Sequence, residues 1–220
     1  GLNIDSENTM ILTGRKYSLI SEEYFSSGSF TDIVKRILVT YGSSDLTGET
    51  LKAMEAINRL VVSGILPKEV RVDIVIGPHN EAKYIIMETA ESFGQFVELA
   101  PYSLSHLMHK ADLILLAGGN SLAEALCLFK PCVVTTTADN QETMVNELQD
   151  LGLIKHVGNH GDSTPLLLSH FIANLTKEIK SLSKKIAQMQ PFDTLGAQRI
   201  SQEIGLITKK KLTNRNRIQL

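Results

Sequence analysis

From Arg36 onward, short runs of β-branched and aliphatic residues alternate with longer amphipathic stretches, and this alternation restricts the chain to one class of architecture. A run that is apolar on both faces suits a strand buried in a parallel sheet, and each such strand needs a covering helix before the next. The runs predict strands at 37–40, 72–76, 96–99, 113–116, 132–135 and 154–156. Helices are expected at 47–63, 80–93, 103–110, 121–128 and 141–151. In the first of these, Leu51, Met54, Ile57 and Leu60 keep the helical period of a helix packed on a sheet. The expected fold is α/β and Rossmann-like, a parallel six-stranded sheet with helices on both faces.

The flanks read differently. After Asp162 the pattern becomes helical, with helices expected at 164–175, 177–187 and 196–204, broken by Pro191 and Gly205. Residues 1–35 are read as the remnant of a preceding domain and a linker. Within them, 17–20 and 22–25 form a turn leading into a short helix, an approach strand is expected, and Ser26, Ser27, Gly28 and Ser29 form a flexible break. Residues 36–206 form the domain. Residues 207–220 are expected to be a solvated, frayed tail carrying Lys209, Lys210, Lys211, Arg215 and Arg217.

Composition narrows the partners. A net charge of −2 over 220 residues gives no argument for nucleic acid or an anionic membrane, and the absence of tryptophan argues against a stacking platform for single strands. Cys127 and Cys132 form neither a disulfide framework nor a metal pair and read as small buried hydrophobes. No signal peptide, lipidation motif or apolar run of membrane-spanning length is visible, so the expected location is cytoplasmic.

Within this frame the segment Ala117, Gly118, Gly119, Asn120, Ser121, Leu122, Ala123, Glu124 follows directly on the apolar run 113–116. It reads as a strand end, a glycine turn and a helix start with an acid one turn in, the outline of a nucleotide-diphosphate site. Two glycines let the backbone approach a ligand, and the free amides of a first helical turn present partial positive charge to phosphate. A carboxylate in that turn can accept two ribose hydroxyls. The alternative is structural: strand, glycine and helix recur throughout parallel α/β domains, and Asn120 or Ser121 can merely cap the helix.

Ligands of open parallel sheets bind beyond the carboxyl ends of the strands, so the loops there are the place to look. Four carry small or polar residues: Tyr41, Gly42, Ser43, Ser44 and Asp45; Gly77, Pro78, His79 and Asn80; 118–124; and 135–141. For the first, the alternative is a turn capped by Ser or Asp. His79 reads as an exposed turn residue. The side-chain amides of Asn140 and Gln141 suit sugar hydroxyls, while Asp139 is expected to serve the following helix. His106 and His109 lack a third ligand at metal spacing and read as surface histidines. No nucleophile elbow, Walker loop or zinc motif occurs, and neither a metal nor another cofactor is expected.

Taken in order, 39–45, Ala111 with Asp112, 117–119, Glu124 and 138–141 resemble the UDP-2,4-diacetamido-2,4,6-trideoxy-β-L-altropyranose hydrolases of pseudaminic acid biosynthesis. Residues 12–20 are similar to that family's link into its second domain, and 196–200 to a segment near its end. The resemblance implies the second half of a two-domain glycosyltransferase B architecture, similar to the peptidoglycan N-acetylglucosaminyltransferase. It implies that Glu124 binds the ribose of UDP, and that the backbone of 118–122, including Gly118, Gly119, Asn120, Ser121 and Leu122, contacts the diphosphate and ribose. Gly42, Ser43 and Ser44 would lie near the phosphates, the backbone at 100–102, including Tyr102, near uracil, and Asn140 and Gln141 near the sugar. The partners so implied are UDP or a UDP-sugar and a catalytic first domain or partner chain. The family's Gly-x-Gly-His segment, which carries its catalytic histidine, has no counterpart here, so the catalytic residue is unknown. Asn120 also stands where the family usually has a serine, and Ala123 where it often has a bulky aromatic. The implied activity is release of UDP from a UDP-linked diacetamido sugar by water, with glycosyl transfer or non-catalytic nucleotide-sugar binding as alternatives.

Overall fold

The computed structural model of the chain describes residues 9–26, 28, 30–94, 96–99 and 101–217. Its strands are β1 (Arg36–Thr40), β2 (Arg71–Ile76), β3 (Phe96–Leu99), β4 (Leu113–Ala117), β5 (Cys132–Thr136) and β6 (Lys155–Asn159). All pair in parallel in the order β3-β2-β1-β4-β5-β6. The five strands from β3 to β5 join in unbroken register, and β6 adds at the edge across a register shift between Val134 and Thr135. The apolar runs explain the centre of this sheet: every residue from Ile37 to Val39 and from Leu113 to Leu116 is fully buried.

The intervening helices are α1 (Glu49–Val62), α2 (Lys83–Ser92), α3 (Ser105–Lys110), α4 (Asn120–Cys127) and α5 (Glu142–Asp150), followed by α6 (Pro165–Met189) and α7 (Gly196–Arg217). With all strands parallel and the order reversing at β1, crossovers of the usual right hand would carry the helices to both faces of the sheet. Helix α6 returns across the domain to pack along α1. It consists of two helical segments that meet at a kink at Glu178, whose φ is −123°, close to the break between 175 and 177 expected from the sequence. Cys127 and Cys132 are buried free thiols, and burial pushes the Cys127 thiol up to about 11 and Cys132 further.

The flanks depart from the sequence reading. No strand precedes β1 among the described residues; the chain instead makes two 3-10 turns, Arg15–Tyr17 and Glu22–Tyr24. The second is held from its flank, with the Ser21 hydroxyl accepting from the Glu23 amide. The expected break at Ser27 and Ser29 lies outside the described residues. Helix α7 runs through Gly205 to Arg217, so 207–217 continue the helix where a frayed tail was expected. A glycine in a solvent-facing helix costs only about 1 kcal/mol and need not stop it.

The motif segments at 12–20 and 196–200 meet. Arg199 forks onto the Asp193 carboxylate at 2.7 and 2.8 Å and also donates to the Lys16 carbonyl at 2.8 Å. The Arg199 guanidinium holds the Asp193 carboxyl below its ordinary range. Gly196 lies so close to the Ser18 carbonyl that a Cβ there would overlap it. Asp112, by contrast, sits at the amino edge of the sheet, where it accepts from the Lys35 and Arg36 amides at 2.8 and 2.9 Å. Its role is to fix the start of β1, away from the carboxyl-edge loops.

Candidate functional site

The strand order reverses between β1 and β4, so the loops leaving their carboxyl ends diverge and open a crevice. Thr40 stands level with Leu116, so Gly42 and Gly118 each follow the last aligned pair by two residues, one in each loop. In the β1 loop Gly42 has φ 81° and, with Ser43, is exposed; Ser44 is half-buried. Asp45, itself at φ 43°, accepts from the Glu49 and Thr50 amides at 2.9 Å each. The first-turn amides of α1 are therefore already capped by a carboxylate, and the donors this loop can offer a ligand are those of the loop itself.

In the β4 loop the buried Gly118 amide donates to the Gln141 side-chain oxygen at 3.2 Å. The same oxygen accepts from the Thr137 amide at 2.9 Å, and Gln141 Nε2 donates to the Thr137 hydroxyl at 3.2 Å. Gln141 thus binds the β4 loop to the β5 loop, a role the sequence reading, which gave it to a sugar, did not foresee. No side chain caps the start of α4, so neither Asn120 nor Ser121 serves as the cap considered from sequence. In its first turn the Leu122 amide donates to the Gly119 carbonyl at 3.0 Å, which leaves the Asn120 and Ser121 amides as the donors this helix start can offer a ligand. The Leu122 side chain is fully buried, which leaves only its backbone at the turn.

Glu124 is half-buried one turn into α4. Burial raises its carboxyl above the ordinary value, hydrogen bonds from the Tyr24 and Ser121 hydroxyls pull it back down, and the neighbouring Glu23 charge pushes it up. Burial, with the Glu124 charge second, pushes the Tyr24 phenol up to about 12. Tyr24 is buried and its turn is pinned to α3: Ser103 Oγ donates to Glu23 Oε2, and Ser105 Oγ and the His109 ring both bond the Glu23 carbonyl, each at 2.9 Å. Ser18, Leu19 and Ile20 face Asn120, Ala123, Glu124 and Met144 across a pocket of about 290 Å³. The chain before β1 is thus a wall of the Glu124 site.

The structure brings together Gly42, Ser43, Ser44, Gly118, Gly119, Asn120, Ser121 and Glu124 at the reversal of strand order. Asn140 is exposed on the 3-10 turn Asp139–Gln141 beside them, and neither that turn nor α5 has a side-chain cap at its start, so Asp139 does not serve the helix as expected. The Tyr102 side chain is fully exposed, and its neighbour Ser103 joins the Tyr24 network; Ala100 lies outside the described residues. Among the described residues no three His, Cys, Asp or Glu side chains converge as a metal site would need. No described helix is long and apolar enough to cross a membrane. Sequence reasoning missed Tyr24, which stands beside Phe25 after two glutamates, and Thr137, whose partner Gln141 stands four residues on.

No protein-family model matches the chain. It is 27% identical over 157 residues to the spore coat polysaccharide biosynthesis protein SpsG of Bacillus subtilis (strain 168), a match that takes in 69% of this chain and 44% of that protein. The chain therefore spans less than half the length of this relative. Among solved structures it superposes on Acinetobacter baumannii MurG with a TM-score of 0.61 at 18% identity, covering 81% of this chain and 51% of that one. It also superposes on Anabaena HepE, solved in complex with UDP and glucose, with a TM-score of 0.56 at 13% identity, covering 78% and 48%. The chain shares its α/β fold and parallel sheet with half of each of these structures.

Proposed function

We propose that this chain is the nucleotide-sugar-binding half of an enzyme that releases UDP from a UDP-linked amino sugar by attack of water at the anomeric carbon. The observation that carries the reading is the crevice between the β1 and β4 loops, with a glycine turn, an uncapped helix start and Glu124 one turn in. The uncapped amides of α4 and its dipole would stabilise charge gathering on the departing diphosphate, where electrostatic catalysis acts. Glu124, held by Tyr24, would accept the ribose hydroxyls, and Asn140 would face the sugar. The base that activates water would come from outside the residues gathered here. The similarity to SpsG, a protein of polysaccharide biosynthesis, supports a nucleotide-sugar substrate, and the diacetamido trideoxy sugar of the pseudaminic pathway is the substrate the motif order favours.

A second reading is glycosyl transfer from the same UDP site to an acceptor hydroxyl, in keeping with a fold shared with HepE, which was solved with UDP and glucose. Calorimetric titration of the chain with UDP, UMP and ADP tests what the two readings share. Saturable binding that prefers UDP is expected, and equal affinity for UDP and ADP would overturn the uridine site. Sugar release from the complete protein without an acceptor would then separate hydrolysis from transfer.

A further inference from the structure

The turn after β2, with Gly77, Pro78, His79 and Asn80, takes no part in the site so far. Yet Gly77 lies directly beneath the β1 loop: a Cβ built on it would overlap the Gly42 carbonyl oxygen, the Ser43 carbonyl oxygen and Ser43 Cα. Two residues on, the His79 amide donates to that same Ser43 carbonyl at 3.0 Å. The turn is itself held together, since the amide of the buried Asn80 donates to the Gly77 carbonyl at 3.2 Å and its side-chain oxygen accepts from the Ala82 amide at 2.8 Å.

This contact has a directional consequence. All peptide bonds described are trans, and in a trans peptide the N–H points opposite to the C=O of the same unit. Because the Gly42 and Ser43 carbonyls face β2, the amides of Ser43 and Ser44 face the other way. The neighbour of β1 on that other side is β4, whose loop forms the far wall of the crevice.

We infer that Gly77 is a positioning residue for phosphate recognition: by admitting the Gly42 and Ser43 carbonyls onto its bare Cα, it turns the Ser43 and Ser44 amides into the crevice as a pair of donors opposite the start of α4. No larger residue allows that approach. The inference rests on the UDP reading and adds to it the second wall of the diphosphate site, built from backbone and set by a residue that touches no ligand.

The test compares UDP with UMP, because the β-phosphate is the group that reaches between the two loops. In the unaltered chain UDP is expected to bind at least tenfold better than UMP. In Gly77→Ala the UMP affinity should stay within twofold while the UDP preference collapses to threefold or less. A His79→Pro variant removes the amide donor without crowding Gly77 and should produce the same selective loss; it carries the test if Gly77→Ala does not fold. Retention of the full UDP preference in a folded variant of either kind overturns the positioning role alone. No preference for UDP over UMP in the unaltered chain overturns the diphosphate reading on which it stands.

Discussion

Gly118 packs against Val145 so closely that a Cβ on the glycine would fall on the valine Cγ2. The β4 turn therefore sits where it does because α5 leaves it that space and no more. Gly118→Ala should destabilise the domain by roughly 1–3 kcal/mol through overpacking of this kind. Adding Val145→Ala should recover part of the loss, and a denaturant double-mutant cycle measures the coupling. Strictly additive effects would show that the turn has room this packing does not suggest.

Gln141 joins the Gly118 and Thr137 amides through one oxygen. Gln141→Ala should remove those bonds at about 1–3 kcal/mol in stability, since it leaves part-buried amides unpaired. It should weaken UDP as well as any UDP-sugar. A side chain whose only task was to contact sugar would leave UDP affinity untouched, so titrating both ligands decides the matter.

For Glu124 the pH dependence has a definite sign. Its folded-state carboxyl is raised above the ordinary 4.5, so folding favours the protonated form. The stability this group contributes is full below about 4.5 and is lost as pH rises through the folded value. Glu124→Gln should accordingly melt higher than the unaltered chain at neutral pH, with the gap closing in acid. The same variant should bind UDP more weakly by about 1.5–3 kcal/mol, the range for hydrogen bonds to a charged group. Unchanged UDP affinity would remove Glu124 from the ribose.

Tyr24→Phe deletes a hydroxyl that favours the ionised Glu124. The acid limb of UDP binding should move to higher pH, while binding above neutrality falls only modestly. An unmoved limb in a folded variant would disconnect Tyr24 from the site.

The two thiols offer a check on the core. Burial raises both well above neutrality, so neither Cys127 nor Cys132 should react with a disulfide reagent at pH 7 until the domain unfolds. Fast labelling under native conditions would place Cys127 in a far more open environment.

Much of this was legible in the residues. The runs at 37–39 and 113–116 have no polar position, and such a run buried on both faces has one use in an α/β chain. The glycine turn and Glu124 were legible for the same reason, since local chemistry fixes them. The edge strand was read early, at 154–156, because Lys155 to Asn159 owes its strand geometry to pairing with β5 rather than to its own composition. Glu49 is fully buried, with its carboxylate on the Lys52 ammonium at 2.7 Å, and nothing in its neighbours announces that. Gln141 and Gly77 were named from the sequence, but their roles, like that of Tyr24, were not legible for one physical reason. Each acts on a residue more than 20 positions away, and only the folded sheet makes them neighbours.

The joint of Arg199 with Lys16 and of Gly196 with Ser18 bears on how this domain would answer force. The strand of chain entering the sheet and the helix leaving it are moored at one point, next to the wall of the Glu124 pocket. Tension applied between the two ends would load this joint, and with it the Ser18 edge of the pocket, before it is passed to the sheet.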